Sequence, residues 1–167
     1  MAPPAASVER ARILALLAQE RMIAGAFRDA ERAAHEALEV TRAVGPEAEP
    51  EAIHVLTTLA VVQGWGAAPE SALPLLREAV ERARAAGLVE EWWRAVANQA
   101  VVLELLGHPA EAVDVTFAGM AEARELDLDA VYGNLLGGNV AGILVDVGRW
   151  PEARELSASL IRPDAQR

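Results

Sequence analysis

The sequence predicts an all-α chain, a right-handed α-α solenoid of about four antiparallel helix pairs, and three observations carry that expectation. Glycines recur at a constant interval of 41 residues, at Gly25, Gly66, Gly107 and Gly148. Each is followed four positions later by an acid and then a small residue: Asp29-Ala30, Glu70-Ser71, Glu111-Ala112 and Glu152-Ala153. Between the glycines, apolar residues return at i, i+3, i+4 and i+7, the spacing of an amphipathic helix, and no strand is predicted anywhere. A period of this length marks stacked units, none of which buries its apolar face alone.

The helices follow in order, after a disordered stretch over 1–6. The first pair, about 7–45, runs from Ser7 or Val8 to Ala24 and from Phe27 to Val44, with the Ser7 hydroxyl placed to take an orphan amide as N-cap. The second, about 49–87, pairs Pro50–Gln63 with Pro69–Ala86 through an irregular joint at 64–68. If Pro69 opens its second helix, Pro74 lies inside, where it should kink the helix or push its start later. The third, about 89–127, pairs Glu90–Leu106, with Trp93, Val96, Ala97 and Ala100 on its apolar face, with Pro109–Leu126. Gly107-His108-Pro109 between them supplies a left-handed cap and a first-turn proline. The fourth, about 129–162, pairs Asp129–Val147 with Trp150–Arg162, and 163–167 is a tail. No polar capping helix covers Leu156, Leu160 and Ile161, so the natural protein is expected to continue past Arg167, or this end to pair with a second copy as a homodimer.

Composition narrows the chemistry. With 53% hydrophobic residues, 167 residues bury an ample core. All 15 basic residues are arginine, which removes Schiff-base lysines and a P-loop lysine. There is no cysteine, so thiol nucleophiles and thiolate metal sites are absent. A net charge of −10 repels phosphate backbones, so this segment is expected to bind neither nucleic acid nor an anionic membrane. The first seven residues carry no basic residue and no apolar run, so they are no secretory signal, and a cytoplasmic location is expected. The uncharged stretches 55–69 and 130–145 fall short of about 18 residues and read as buried helices. His35, His54 and His108 are far apart in sequence, and His108 sits in a turn where water should reach it, so no metal site is expected. The serines lack a nucleophile elbow, and the chain is read as a non-enzyme without cofactors.

The segments Gly148-Arg-Trp-Pro-Glu-Ala153, Gly107-His-Pro-Ala-Glu-Ala112 and Gly25-Ala-Phe-Arg-Asp-Ala30 resemble the G-x-[YFW]-x-[DE]-A turn of tetratricopeptide (TPR) repeats. Those units are usually about 34 residues long, so the longer interval here lengthens the helices by about two turns. The segments 93–107 and 131–150 are further similar to the TPR-like region of large actinobacterial LuxR-type regulators. In that family an ATPase module precedes the repeats and a helix-turn-helix module closes the chain; this sequence has neither. The resemblance covers about residues 8–162 and implies a protein-interaction or sensor segment of a transcriptional regulator, whose partner is a protein, a peptide or an adjacent domain.

Three sets of residues are candidates for that role. Asn98 and Asn139 stand one period apart on successive first helices, where a TPR groove bonds a peptide backbone; satisfying a neighbouring carbonyl is the alternative. By the same analogy Arg12, Gln19, Gln63, Arg94, Glu104 and Asp146 line the concave side, and their mixed signs argue against a clamp for peptide carboxylates. The helix holding Gly133, Gly137, Gly138 and Gly142 must repay a cost of up to about 1 kcal/mol per glycine. Close helix packing is the first reason, and a small-effector pocket beside Tyr132, Asn134 and Asn139 is the second. Trp92 and Trp93 point about 100° apart, so both cannot face the same core direction; an exposed Trp92 would anchor a partner, but ordinary packing between repeats is the preferred reading for Trp92 as for Trp150, which takes the aromatic position of its turn.

Overall fold

The computed structural model describes residues 5–66 and 69–161, and among them eight α-helices and no strand. The helices are α1 (Val8–Ile23), α2 (Phe27–Val44), α3 (Glu49–Gly64), α4 (Ala72–Ala85), α5 (Val89–Leu105), α6 (Pro109–Glu125), α7 (Asn134–Asp146) and α8 (Trp150–Ile161). The all-α reading holds, and the observed ends fall within one or two residues of most expected ones. Arg162 and the tail lie outside the described residues, as do Ala67 and Ala68 of the irregular joint.

Two compact units divide the chain, residues 1–95 and 96–167. In the first, α1 and α2 pack as an antiparallel pair across a three-residue turn, α3 packs on both of them, and α4 folds back on α3. Alanines fill the seam of the first pair: Ala11, Ala15 and Ala18 of α1 and Ala30, Ala34 and Ala37 of α2 are all buried. Enclosed by α1, α2 and α4, α3 is buried around most of its circumference, which explains why no acid or arginine follows Glu51 along it. Its buried Thr57 and Thr58 hydroxyls donate to the carbonyls of Ile53 and His54, at 3.1 and 3.0 Å, so neither is left unsatisfied. In the second unit α6 packs on α7 and α7 on α8. No helix among the described residues is long and apolar enough to cross a membrane.

One turn chemistry closes most of these helices. At Gly107 the backbone turns left-handed, φ 78°, the His108 amide donates back to Leu103 O at 2.8 Å and the Gly107 amide to Glu104 O at 2.9 Å. These are the two bonds of a Schellman cap. The same pair of bonds recurs at Gly25, Gly87 and Gly148, and again at Asp127, the one non-glycine residue among those described with positive φ, at 58°. Gly66 breaks the pattern. Its φ is not positive, so this member of the glycine column marks the joint without supplying a left-handed cap.

Both helix-start expectations hold. The Arg10 amide donates to the Ser7 hydroxyl oxygen at 3.2 Å. Residues Pro69–Ser71 form a single 3-10 turn and α4 begins at Ala72, which brings Pro74 into its first turn, where a missing N–H breaks no helical bond. The fourth pair departs from expectation: Asp129–Gly133 forms a π turn before α7 begins. Gly133 belongs there because a Cβ at that position would collide with the Asp129 carboxylate.

Candidate functional site

In the first unit, side chains of the successive first helices α1, α3 and α5 meet in a continuous polar chain. Arg12 of α1 directs both Nε and Nη2 at Glu51 Oε1 on α3, each at 2.8 Å. His54, one turn further along α3, lies between Glu91 of α5, whose Oε1 is 3.1 Å from Nδ1, and Gln19 of α1, whose side-chain oxygen is 3.0 Å from Nε2. With Nδ1–H donated to Glu91, the ring offers Nε2 as an acceptor when neutral and a second donor when charged. The Gln19 amide, carrying both a donor and an acceptor, can meet either state. Arg94 closes the chain from α5, donating to His54 O at 3.1 Å and to the Thr58 hydroxyl at 2.8 Å, with Glu91 Oε2 3.5 Å from its Nη1. Burial pushes the Arg94 guanidinium below its usual pKa, partly offset by the Glu91 charge beside it.

Glu51 is the more buried of two carboxylates here, Glu51 and Glu91, whose Oε2 has no hydrogen-bond partner among the described residues. It is 5% exposed, and its Oε1 receives both arginine N–H groups. An unsatisfied buried acceptor costs about 1–3 kcal/mol, more when charged. Glu51 lines a cavity of about 270 Å³ together with Arg12, Ala15, Leu16, Pro50, His54 and Glu91. Beside that cavity α1 presents an apolar strip to solvent, with Ile13 66% and Leu16 50% exposed and Leu17 next to them.

A larger groove of about 530 Å³ lies on α3 between α2 and α4, with Leu38, Leu56, Leu59 and Leu75 as its apolar lining. Its strongest charge is already neutralised. Arg82 grips both Glu49 oxygens at 2.8 Å and Glu78 at 2.7 Å, a saturation that raises the guanidinium pKa and lowers that of Glu49. Gln63 lines this groove and accepts from the Ser71 hydroxyl at 2.7 Å, so it does not join Arg12, Gln19 and Arg94 on the other face.

The remaining sequence candidates fall in the second unit or turn inward. Trp92 is 2% exposed, which rules out the partner-anchor alternative and agrees with packing. It shares a buried stripe with Ala95, Val96 and Ala100, whereas Trp93, about 100° away, is half-buried. Trp150 reverses its packing expectation: it is 68% exposed, with its indole N–H donating to Val145 O at 3.0 Å. Asn98 is half-buried and Asn139 exposed, so their shared column does not give them a shared environment. Asn134 is exposed and spends its amide N–H on Ala130 O at 2.9 Å, and Tyr132 is half-buried in the π turn. Close packing explains Gly137, where a Cβ would sit 2.9 Å from both Leu160 methyls, but not Gly138 or Gly142, which face open space. Glu104 of α5 and Asp146 of α7 come together as a carboxyl pair, and burial, then the Asp146 charge, raises the Glu104 pKa. His108 is exposed beside Glu111, as its turn position implies. Among the described residues no three acidic or histidine side chains are grouped as a metal ion requires.

The sequence placed Arg12, Gln19 and Arg94 on one side but missed Glu51, His54, Thr58 and Glu91 as their partners, because these residues look unrelated along the chain. Arg12–Glu51, His54–Glu91, Gln19–His54 and Thr58–Arg94 are separated by 39, 37, 35 and 36 residues, each close to one period. Searching polar residues one period apart, within about two turns, would have found them.

The chain matches no protein-family model and no curated protein. Among solved structures it is similar to two crystal structures of nearly identical TPR-like repeats assigned as a kinesin light chain of Podosopora anserina, one of them a point variant. The variant is 16% identical with a TM-score of 0.42, over 96% of this chain and 98% of that one. The other is 14% identical with a TM-score of 0.41, over 96% and 99%. Likeness at this level adds nothing to the helix-pair architecture read from the chain's own packing.

Proposed function

We propose that this chain is a non-enzymatic helical-repeat interaction module that docks a protein or peptide segment on the face formed by α1, α3 and α5. The observation that carries the reading is the polar chain from Arg12 to Arg94 with the apolar strip Ile13, Leu16 and Leu17 beside it. Exposed apolar side chains rimmed by fixed polar groups are the makeup of a docking surface. Random peptides selected on the immobilised chain test it. Binding of the enriched peptides is expected to disappear in the Ile13→Glu/Leu16→Glu double variant while its helical circular dichroism is unchanged. Enrichment that fails, or peptides indifferent to the double variant, would reject the reading.

The regulatory role, as the TPR-like sensor segment of a LuxR-type transcriptional regulator, rests on the sequence similarity of segments 93–107 and 131–150 alone. An immunoblot of the source cells with an antibody against this chain tests it. A native product many times the 17.8 kDa of this chain supports a multidomain regulator, and one near that mass rejects it.

A further inference from the structure

We propose that the solvent-facing stripe of α7 is a self-association surface, on which α7 of a second copy of this chain packs antiparallel. The stripe belongs to the second unit, whereas the docking face above belongs to the first. Leu135, Gly138, Gly142 and Val145 follow at intervals of three or four residues and so share one side of α7, and Val131 stands one turn before them in the π turn. All five are exposed: Val131 to 56%, Leu135 to 48% and Val145 to 50%, and a Cβ on Gly138 or Gly142 would meet nothing within 4 Å. Large apolar side chains thus stand in water beside two residues that weaken a helix, and no contact among the described residues accounts for either.

Three observations specify the occupant. Two 41-residue periods earlier, the counterparts of Leu135, Gly138 and Gly142 on α3 are Ile53, Leu56 and Ala60, all buried in helix packing. This side of a first helix is therefore one that another helix covers. From Asn134 to Val145 α7 carries no charged residue, so two copies of a chain with a net charge of −10 can meet there without bringing like charges together. The stripe also has the same character read from either end: apolar, glycine, glycine, apolar, centred on position 140. A two-fold axis at that centre places Leu135 of each copy beside Val145 of the other and brings both glycine pairs to the crossing, where the two backbones can approach closely. One helix face about 21 Å long buries less than the roughly 1,200 Å² of a stable complex, so the pair is weak and exchanges with monomer.

Sedimentation equilibrium of the chain from about 10 μM to about 1 mM tests the proposal. The average mass is expected to rise from the 17.8 kDa of one chain toward twice that value and to stop there. Leu135→Glu and Val145→Arg put an acid in the first turn of α7 and a base in its last, where the helix dipole favours each, so both variants should keep the parent's helical circular dichroism. Each alone is expected to associate at least about tenfold more weakly. An equimolar mixture of the two should recover association, because the introduced acid of one copy then lies beside the introduced base of the other. Gly138→Ala/Gly142→Ala should melt above wild type at a dilution where both are monomeric, yet associate at least about tenfold more weakly. A chain that stays monomeric to about 1 mM, or a mass that grows past two copies as an open head-to-tail contact would make it, overturns the proposal. So does association that survives the single charge substitutions or the glycine substitutions, or a mixture no stronger than its components.

Discussion

The glycines of the second unit permit a test in which one substitution changes sign with its surroundings. Gly138 and Gly142 lie inside α7, both are exposed, and a Cβ built on either meets nothing within 4 Å. Replacing either with alanine therefore adds only the intrinsic helix preference, about 0.8–1.0 kcal/mol in favour of folding. The double variant should gain about 1.6–2 kcal/mol, or roughly 4–7 °C in Tm for a chain of this size. Gly119 in α6 receives the same intrinsic gain, but its Cβ would sit 2.9 Å from Val96 Cγ1 and 3.1 Å from Leu136 Cδ1. Val96 is held to one rotamer in a helix and gives little, so overpacking of about 1–3 kcal/mol offsets or exceeds the gain. Gly137 falls between: its contacts are the Leu160 methyls and Met120 Cε at 3.3 Å, the ends of flexible side chains that can turn aside.

Urea midpoints at constant m separate these cases. The expected order of stability is Gly138→Ala/Gly142→Ala above wild type, Gly137→Ala near it and Gly119→Ala below it. A destabilised Gly142→Ala would refute the open-space assignment for α7, and a Gly119→Ala that gains the full intrinsic increment would refute the close approach of α6 to Val96 and Leu136. The comparison also bears on function. If Gly138 and Gly142 serve the approach of a partner, the stabilised double variant should lose binding that Gly119→Ala retains.

Further outcomes follow from named groups. Arg94→Met should cost about 2–3 kcal/mol in urea unfolding, less than the 3–5 of a fully buried pair because Glu91 keeps His54 and some solvent. Glu104 has a folded pKa raised by burial and then by Asp146, so its charged form is penalised in the folded state at neutral pH. Glu104→Gln should therefore be more stable than wild type at pH 7, and the gap should close as pH falls through the raised value toward the ordinary carboxylate range near 4.3. Asp127→Gly removes a left-handed strain of at most about 1–2 kcal/mol and adds about 0.4–1 kcal/mol of unfolded-state entropy, so a small net stabilisation, visible as a slightly raised Tm, is expected.

How much of this was legible follows the range of the interactions. The helix pairs were legible because caps and breakers act within a few residues: the Gly107 cap, the Ser7 N-cap and the late start of α4 before Pro74 all follow from local chemistry. Asp127 escaped because an acid can take the left-handed cap as glycine does, so a search for glycines passes over it. The π turn escaped because it depends on one side chain, Asp129, occupying the space that Gly133 leaves. Trp93 was expected on the apolar face of its helix, but the phase of α5 turns Trp92 to the core and leaves Trp93 half-buried. The candidate site was least legible, since Gln19, His54 and Glu91 meet only after two further helices have been placed between them.

That dependence gives the polar chain a structural consequence beyond docking. The seam of α1 and α2 is built largely of alanines, whose small and similar side chains discriminate weakly between one helix register and the next. A slide by one turn displaces a helix by about 5.4 Å, which an alanine seam can accommodate and a hydrogen bond near 3 Å cannot. Arg12 to Glu51 and Gln19 to His54 would both part if α1 slid, leaving the buried Glu51 carboxylate without its partner and the half-buried imidazole with Glu91 alone. The same bonds that hold α1 and α3 in one register thereby keep Leu16 and Glu51 on one cavity wall, so the geometry of the proposed docking face follows from what sets the register of the repeats.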